Sequence, residues 1–197
     1  MPTPIPLLRL THGQVAWVLS QGSPPPAQTL DQLNYLRQRG VPFTVAELGQ
    51  GRGNPLHYRF DHLCEIGIAL FGLRRGFRPK DITDLVLKER ILLRKYSRKA
   101  YSEQPAIVSG QQWVAGVENI LPPLKREIFV LLHDRYSNTP GEIDIYEIGA
   151  GSEPISFGVE NEKYPGNTLR TLLPLTRLIL DLVAWSRRAP EIRAGRK

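Results

Sequence analysis

The chain contains a single cysteine, Cys64, and a single methionine. One thiol excludes an internal disulfide framework and any zinc centre built from clustered cysteines. Of the four histidines, His12, His57, His62 and His133, none stands at His-x-x-x-His or another ligand spacing, so no metal site is expected. No apolar run approaches the roughly 18 residues that mark a membrane span. The opening residues carry Pro2, Pro4, Pro6 and Arg9 where a secretory signal would hold a sustained apolar stretch. These absences lead to the expectation of a cytoplasmic protein with no membrane partner and no cofactor.

Constellations that carry catalysis are missing as well. His133 and Asp134 close an apolar run, a position that reads as a turn rather than an acid–base pair. Gly149, Ala150 and Gly151 lack the glycine pattern of a nucleotide loop and suit a hairpin turn. Cys64 reads as a small packing residue, and Trp17, Trp113 and Trp185 as core or interface aromatics. No enzymatic activity is expected.

What the chain does have is charge of one sign, a net +7, and its placement is uneven. Residues 1–101 carry 15 Lys and Arg against 7 Asp and Glu, a net +8. Residues 102–186 carry 6 against 11, a net −5, and residues 187–197 carry 5 against 1, a net +4. A basic half followed by an acidic stretch suggests one domain that meets a polyanion and one that does not.

Helix signals open the basic half. Thr11 and Gln14 form a capping-box pattern ahead of Val15, Val18 and Leu19, and Gly22 with Pro24, Pro25 and Pro26 stops that helix. A second box is read at Thr29 and Gln32, with Leu30, Leu33 and Leu36 as the apolar stripe and Gly40 as the residue after the cap. Val45 and Leu48 are expected to form one strand of a hairpin. Its glycine-rich tip spans residues 49–54, and Leu56, Tyr58 and Phe60 alternate on the return. Asp61 is expected to cap a third helix carrying Leu63, Ile66, Leu70, Leu73 and Phe77, closed by Gly76. Pro79 then opens a helix that meets no breaker before Pro105, so it is expected to run to about Tyr101, a rod on the order of 30 Å. In the second half a short helix is expected within residues 111–120 and a buried strand over 128–132. A hairpin is expected from 143–148 and 155–159, and a closing helix capped by Thr168 with Leu172, Leu175, Ile179, Leu182 and Val183 on one face.

Helix, helix, glycine-rich hairpin, helix and long helix is the order of a winged helix-turn-helix. Several stretches sharpen it: Gly53-Asn54-Pro55-Leu56-His57-Tyr58-Arg59, then Asp61-His62-Leu63, then Leu73-Arg74-Arg75-Gly76-Phe77-Arg78-Pro79-Lys80-Asp81-Ile82. On these residues, the first half resembles the DNA-binding domain of MerR-family regulators, and residues 29–40 are similar to that family's recognition helix. Two departures are a proline-rich insertion over residues 21–28 and Asp31 where the family often carries arginine. The expected fold is α+β: a mainly α winged helix-turn-helix domain with a long helix over residues 1–103, then a small α+β dimerisation or effector domain over 104–197.

The resemblance implies double-stranded DNA as partner and a homodimer formed through the long helix, hence a pseudo-palindromic site. Gln28, Gln32, Asn34 and Tyr35 are expected to reach base edges, and Arg37 and Arg39 to contact phosphates. Arg52 at the hairpin tip is expected in the minor groove, with Arg59, Arg74, Arg75 and Lys80 flanking the backbone. The basic residues late in the long helix (Arg90, Arg94, Lys95, Arg98 and Lys99) fit the same flanking role. The leading expectation is sequence-specific transcriptional regulation. A DNA-organising or plasmid or phage segregation protein and a protein-interaction module are the alternatives. No small-molecule effector is read from the sequence.

Overall fold

The structure, a computed structural model, describes residues 2–44, 47, 56–105, 124–133, 141–149 and 170–191. Within them the chain is α+β and mostly helical. Helix α1 (His12–Leu19) starts as its sequence indicates: Thr11 Oγ1 accepts from the Gln14 N–H at 3.3 Å, and Gln14 Oε1 accepts from the Thr11 N–H at 2.9 Å. Helix α2 (Ala27–Gln38) begins three residues earlier than expected. Pro26, with φ already near the helical value, stands at the cap, and Thr29 turns its side chain into the core instead of capping. The other end matches: the Gly40 N–H reaches the Arg37 carbonyl, and the Val41 N–H reaches that of Leu36 at 2.9 Å. This double closure needs the φ of +87° that Gly40 supplies, and it packs buried Val41 against buried Leu36.

Helix α3 (Phe60–Arg74) is the central rod, buried over most of its length. Arg59, not Asp61, stands at its cap, because Asp61 is drawn into a pair with Arg98. The long fourth helix is two helices, α4 (Pro79–Lys88) and α5 (Arg90–Ser102), separated at Glu89. A straight rod would carry Arg90, Arg94 and Arg98 away along its own axis. The break instead lets α5 run antiparallel to α3, with Arg90 and Arg94 on Glu65 and Arg98 on Asp61.

Most of the expected hairpin falls outside the described residues, and its flanks differ from expectation. Val45 lies outside the described residues, as do Leu48 and the tip with Arg52, but Glu47 is helical. Its carboxylate accepts from the Thr44 N–H at 2.8 Å, and the Glu47 N–H donates to Thr44 Oγ1, the capping-box exchange that begins helices. On the return side the strand shrinks to Tyr58, which bridges Leu10 through two backbone hydrogen bonds of 3.0 and 2.8 Å, and Phe60 is already helical.

The second half supplies strands β1 (Arg126–His133), β2 (Glu142–Gly149) and β3 (Arg170–Pro174), antiparallel in the order β2-β1-β3. β1 and β2 contain the strands expected there, paired as Val130 with Ile145. Residues 155–159 and 111–120 lie outside the described residues. Leu172, expected in the closing helix, is in β3. Proline at 174 has no N–H to extend a helix backwards, so α6 (Leu175–Ser186) starts after it. Leu175, Ile179, Leu182 and Val183 are buried along α6 as their spacing indicates.

α6 packs on α1, α3, α5 and β1, so buried residues from Leu10 to Ala184 form one continuous core. The division at residue 103 therefore does not separate two cores. The Thr176 hydroxyl accepts from the Ile128 N–H at 2.8 Å and ties α6 to β1. Trp185 lies so close to Gly22 that a Cβ there would fall 2.5 Å from its ring, and meets Trp17 edge-on at 5.6 Å. A chain ended after Glu103 is expected to lose cooperative thermal unfolding, because α3 and α5 would expose the faces that α6 covers. A sharp calorimetric transition in that fragment would show that the first half is a domain in its own right.

Candidate nucleic-acid interface

Helix α2 is not sealed inside. Its buried stripe is Thr29, Leu33 and Leu36, while Gln28, Asp31, Arg37, Gln38 and Arg39 are exposed and Gln32, Asn34 and Tyr35 half-buried. Spaced four, three and four residues apart, Gln28, Gln32, Tyr35 and Arg39 share one flank of the helix. The Arg39 guanidinium lies 5.5 Å from the centre of the Tyr35 ring. Asn34 and Arg37 fall on the other flank. The residues expected to read bases are thus not a single row: three stand together, with Asn34 apart from them.

The cations divide into two sets. Arg90, Arg94, Arg98 and Lys99 are held by acids of the same chain: two on Glu65, one on Asp61, and Lys99 on Glu147 of β2 at 2.6 Å. These four carry acidic partners within the chain, while Lys95, expected beside them, is exposed. Arg37, Arg39, Arg59, Arg74, Arg75 and Lys80 are exposed, and none has an acidic partner among the described residues. Arg74 donates to the Leu19 carbonyl at 3.3 Å and Arg75 lies 5.3 Å over the Phe71 ring, so both are partly fixed. Arg59 and Arg74 bracket α3, whose 15 residues at about 1.5 Å each set them roughly 22 Å apart. The free cations therefore line up along the molecule instead of gathering at one spot.

What holds α2 in place is a buried acid. Glu65, only 1 % exposed, receives Arg90 Nε at 3.1 Å and Arg94 Nε at 2.5 Å. Arg90 then extends its Nη2 to the Gly40 carbonyl at 2.6 Å, closing the last turn of α2 against α3 and α5. Burial pushes the Glu65 carboxyl above its ordinary range, and the guanidiniums of Arg90 and Arg94 pull back without cancelling it. The triad is thus weak as a source of stability and strong as a determinant of geometry. The pattern was readable in part: Asp61 and Glu65, four apart on one helix, match Arg90, Arg94 and Arg98, four apart on another.

Three other groups complete the neighbourhood. His62, buried beside Phe43, lies 3.4 Å from Glu47. Burial holds its pKa below the ordinary histidine value, more strongly than Glu47 raises it. Cys64 is buried and its thiol pushed well up by that burial, which leaves it a packing residue. His133 Nε2 meets Asp144 Oδ2 at 2.8 Å across β1 and β2, a partner that sequence adjacency did not suggest, while Asp134 is outside the described residues. Among the described residues no group of His, Cys, Asp and Glu could hold a metal, and no helix is long and apolar enough to cross a membrane. Compared with known protein families, curated proteins and solved structures, the chain finds no match.

Arg90→Met is expected to cost about 1–3 kcal/mol in urea unfolding, since Glu65 and the Gly40 carbonyl both lose a charge-assisted bond. Hydrogen exchange should locate the loss in the last turn of α2; unchanged protection there would mean that Arg90 does not hold it. Stability should also fall between pH 7.5 and 5.5. His12 and His62 both titrate below their unfolded value near 6.5, so the unfolded chain takes up protons first as pH drops. Denaturation curves across that range should show the decline, and His62→Gln should flatten it.

Proposed function

We propose that this chain binds double-stranded DNA through α2, as a winged helix-turn-helix regulator of the kind its first half resembles. The observation that carries the reading is the contrast between the two sets of cations. Four arginine and lysine side chains are neutralised by internal acids, while six others, two of them at the C-terminal end of α2, stand exposed without acidic partners among the described residues. A polar helix with glutamines and a tyrosine on one flank and arginines at its end has the donors for base edges and phosphates alike. In this reading Gln28, Gln32 and Tyr35 face the bases, and Arg37, Arg39, Arg59, Arg74, Arg75 and Lys80 hold the backbone.

The dimer implied by the resemblance does not find its expected surface. Of the leucines along the expected long helix, Leu85 and Leu93 are buried in the chain's own core and Leu92 is half-buried. Ile91, 86 % exposed, is the large apolar side chain of α5 left outside it. The reading therefore rests on α2 and the exposed cations around it, and regulation from a pseudo-palindromic site would require a different contact between copies.

Fluorescence anisotropy with labelled duplexes tests the proposal. Binding should weaken steeply with salt, and Arg37→Ala or Arg39→Ala should each lower the slope of log K against log salt by about one. Gln32→Ala should leave that slope unchanged and relax preference at one base pair in a binding-site selection. Absence of salt-dependent binding to any duplex would sink the reading and leave the protein-interaction alternative.

A further inference from the structure

At the start of α3 a single histidine joins two segments of the chain. His62 is 4 % exposed and meets the Phe43 ring edge-on at 4.8 Å. The Arg59 N–H donates to its Nδ1 at 3.4 Å, and its Nε2 lies 3.4 Å from Glu47 Oε1. A backbone N–H can only donate, so Nδ1 presents a lone pair and the proton of the neutral ring sits on Nε2, toward the carboxylate. Both ends of this bridge are themselves fixed. Glu47 turns its other oxygen, Oε2, to the Thr44 N–H at 2.8 Å and the Thr44 hydroxyl at 3.0 Å. The Arg59 carbonyl accepts from the Leu63 N–H at 3.0 Å in the first turn of α3, and Tyr58 before it is bridged to Leu10.

A second proton on this ring has one place to go. At Nδ1 it would set two N–H groups against each other, so the Arg59 bond cannot survive it. The Nε2–H facing Glu47 becomes instead a charge-assisted contact between imidazolium and carboxylate. The charged groups that bear on the ring are Glu47, which favours that proton, and Arg59 and Arg94 of α5, which oppose it. The nearby acids of α3 are engaged elsewhere, Asp61 by Arg98 and Glu65 by Arg90 and Arg94.

We propose that His62 is a proton-operated latch on the N-terminus of α3. Neutral, it holds the Arg59 backbone and Glu47 together; protonated at Nδ1, it releases Arg59 and keeps Glu47. The device goes beyond the DNA reading and stands or falls without it. Burial outweighs the pull of Glu47 and keeps the ring below the ordinary histidine value, so the latch is closed at neutral pH and opens on acidification. Its opening frees the backbone that carries Arg59, an exposed cation, while the 43–47 segment stays joined to α3. Glutamine at position 62 would close the same bridge with no titrating group, because its amide oxygen can accept from the Arg59 N–H as the third residue of a capping box does.

The test is NMR on the full chain from pH 8 to 5, following the ring nitrogens of His62, assigned by their loss in His62→Gln, and the amide of Arg59. At pH 8 the ring proton is expected on Nε2. As pH falls, the Arg59 amide resonance should move with the His62 midpoint. Its exchange protection, corrected for the intrinsic pH dependence of exchange, should drop about fivefold, the equivalent of one net hydrogen bond. In His62→Gln the Arg59 amide should stay protected throughout. In Glu47→Gln the midpoint should move down, with Arg59 release still following it. A ring proton on Nδ1 at pH 8 overturns the latch, as does an Arg59 amide that ignores the His62 titration. Release in His62→Gln equal to that of the parent, or a ring with no midpoint above pH 5, overturns it as well.

Discussion

A carboxylate out of contact with water governs this molecule. Glu65 sits in the middle of the central helix, where an unpaired charge would be intolerable, and it is met there by Arg90 and Arg94. The geometry around it fits that meeting: the fourth helix breaks at Glu89, α5 returns along α3, and Arg90 comes within reach of the Gly40 carbonyl at the end of α2. Because burial of the carboxylate offsets much of what the pairing returns, the triad selects one arrangement of three helices more than it stabilises them.

The same triad changes how the basic half should be understood. A net charge counted along a segment says how many cations it contains and nothing about how many face outward. Here four of the five cations of α5 are paired from within, by acids on α3 and on β2, and the acidic stretch supplies one of those acids in Glu147. What remains for a partner is a smaller set along α2, ahead of α3 and around the turn between α3 and α4. Their spread along the length of α3 is compatible with a duplex, whose phosphates are themselves distributed, and less so with a small anion.

Local signals were legible wherever a backbone need is met by a neighbour in sequence. The Thr11–Gln14 box, Gly40, the N1 proline at 79 and the apolar spacing of α6 all stand as the sequence indicates. The Thr44–Glu47 box is an equally local signal, overlooked because Val45 and Leu48 suggested a strand beside the glycines. The break at Glu89 was not legible from breakers, since neither glycine nor proline is there; it goes with the seating of Arg90 and Arg94 on Glu65. The unity of the core was hidden for a similar reason. The charge asymmetry suggested two domains, but burial follows apolar faces, and that of α6 matches those of α1, α3 and α5. Of the candidate site, the exposure of α2 was foreseen, while the withdrawal of Arg90, Arg94, Arg98 and Lys99 required coordinates.

The close fit of Trp185 over Gly22 has a bearing on how the protein comes into being. Translation delivers α6 after every element it covers, and the contacts it makes with α1 span most of the chain. Such distant pairings are slow to find because a long loop must close before they yield anything. The earlier helices therefore emerge from the ribosome with a hydrophobic seam still open, and interruption of synthesis ahead of α6 would release a nascent chain inclined to associate with others of its kind.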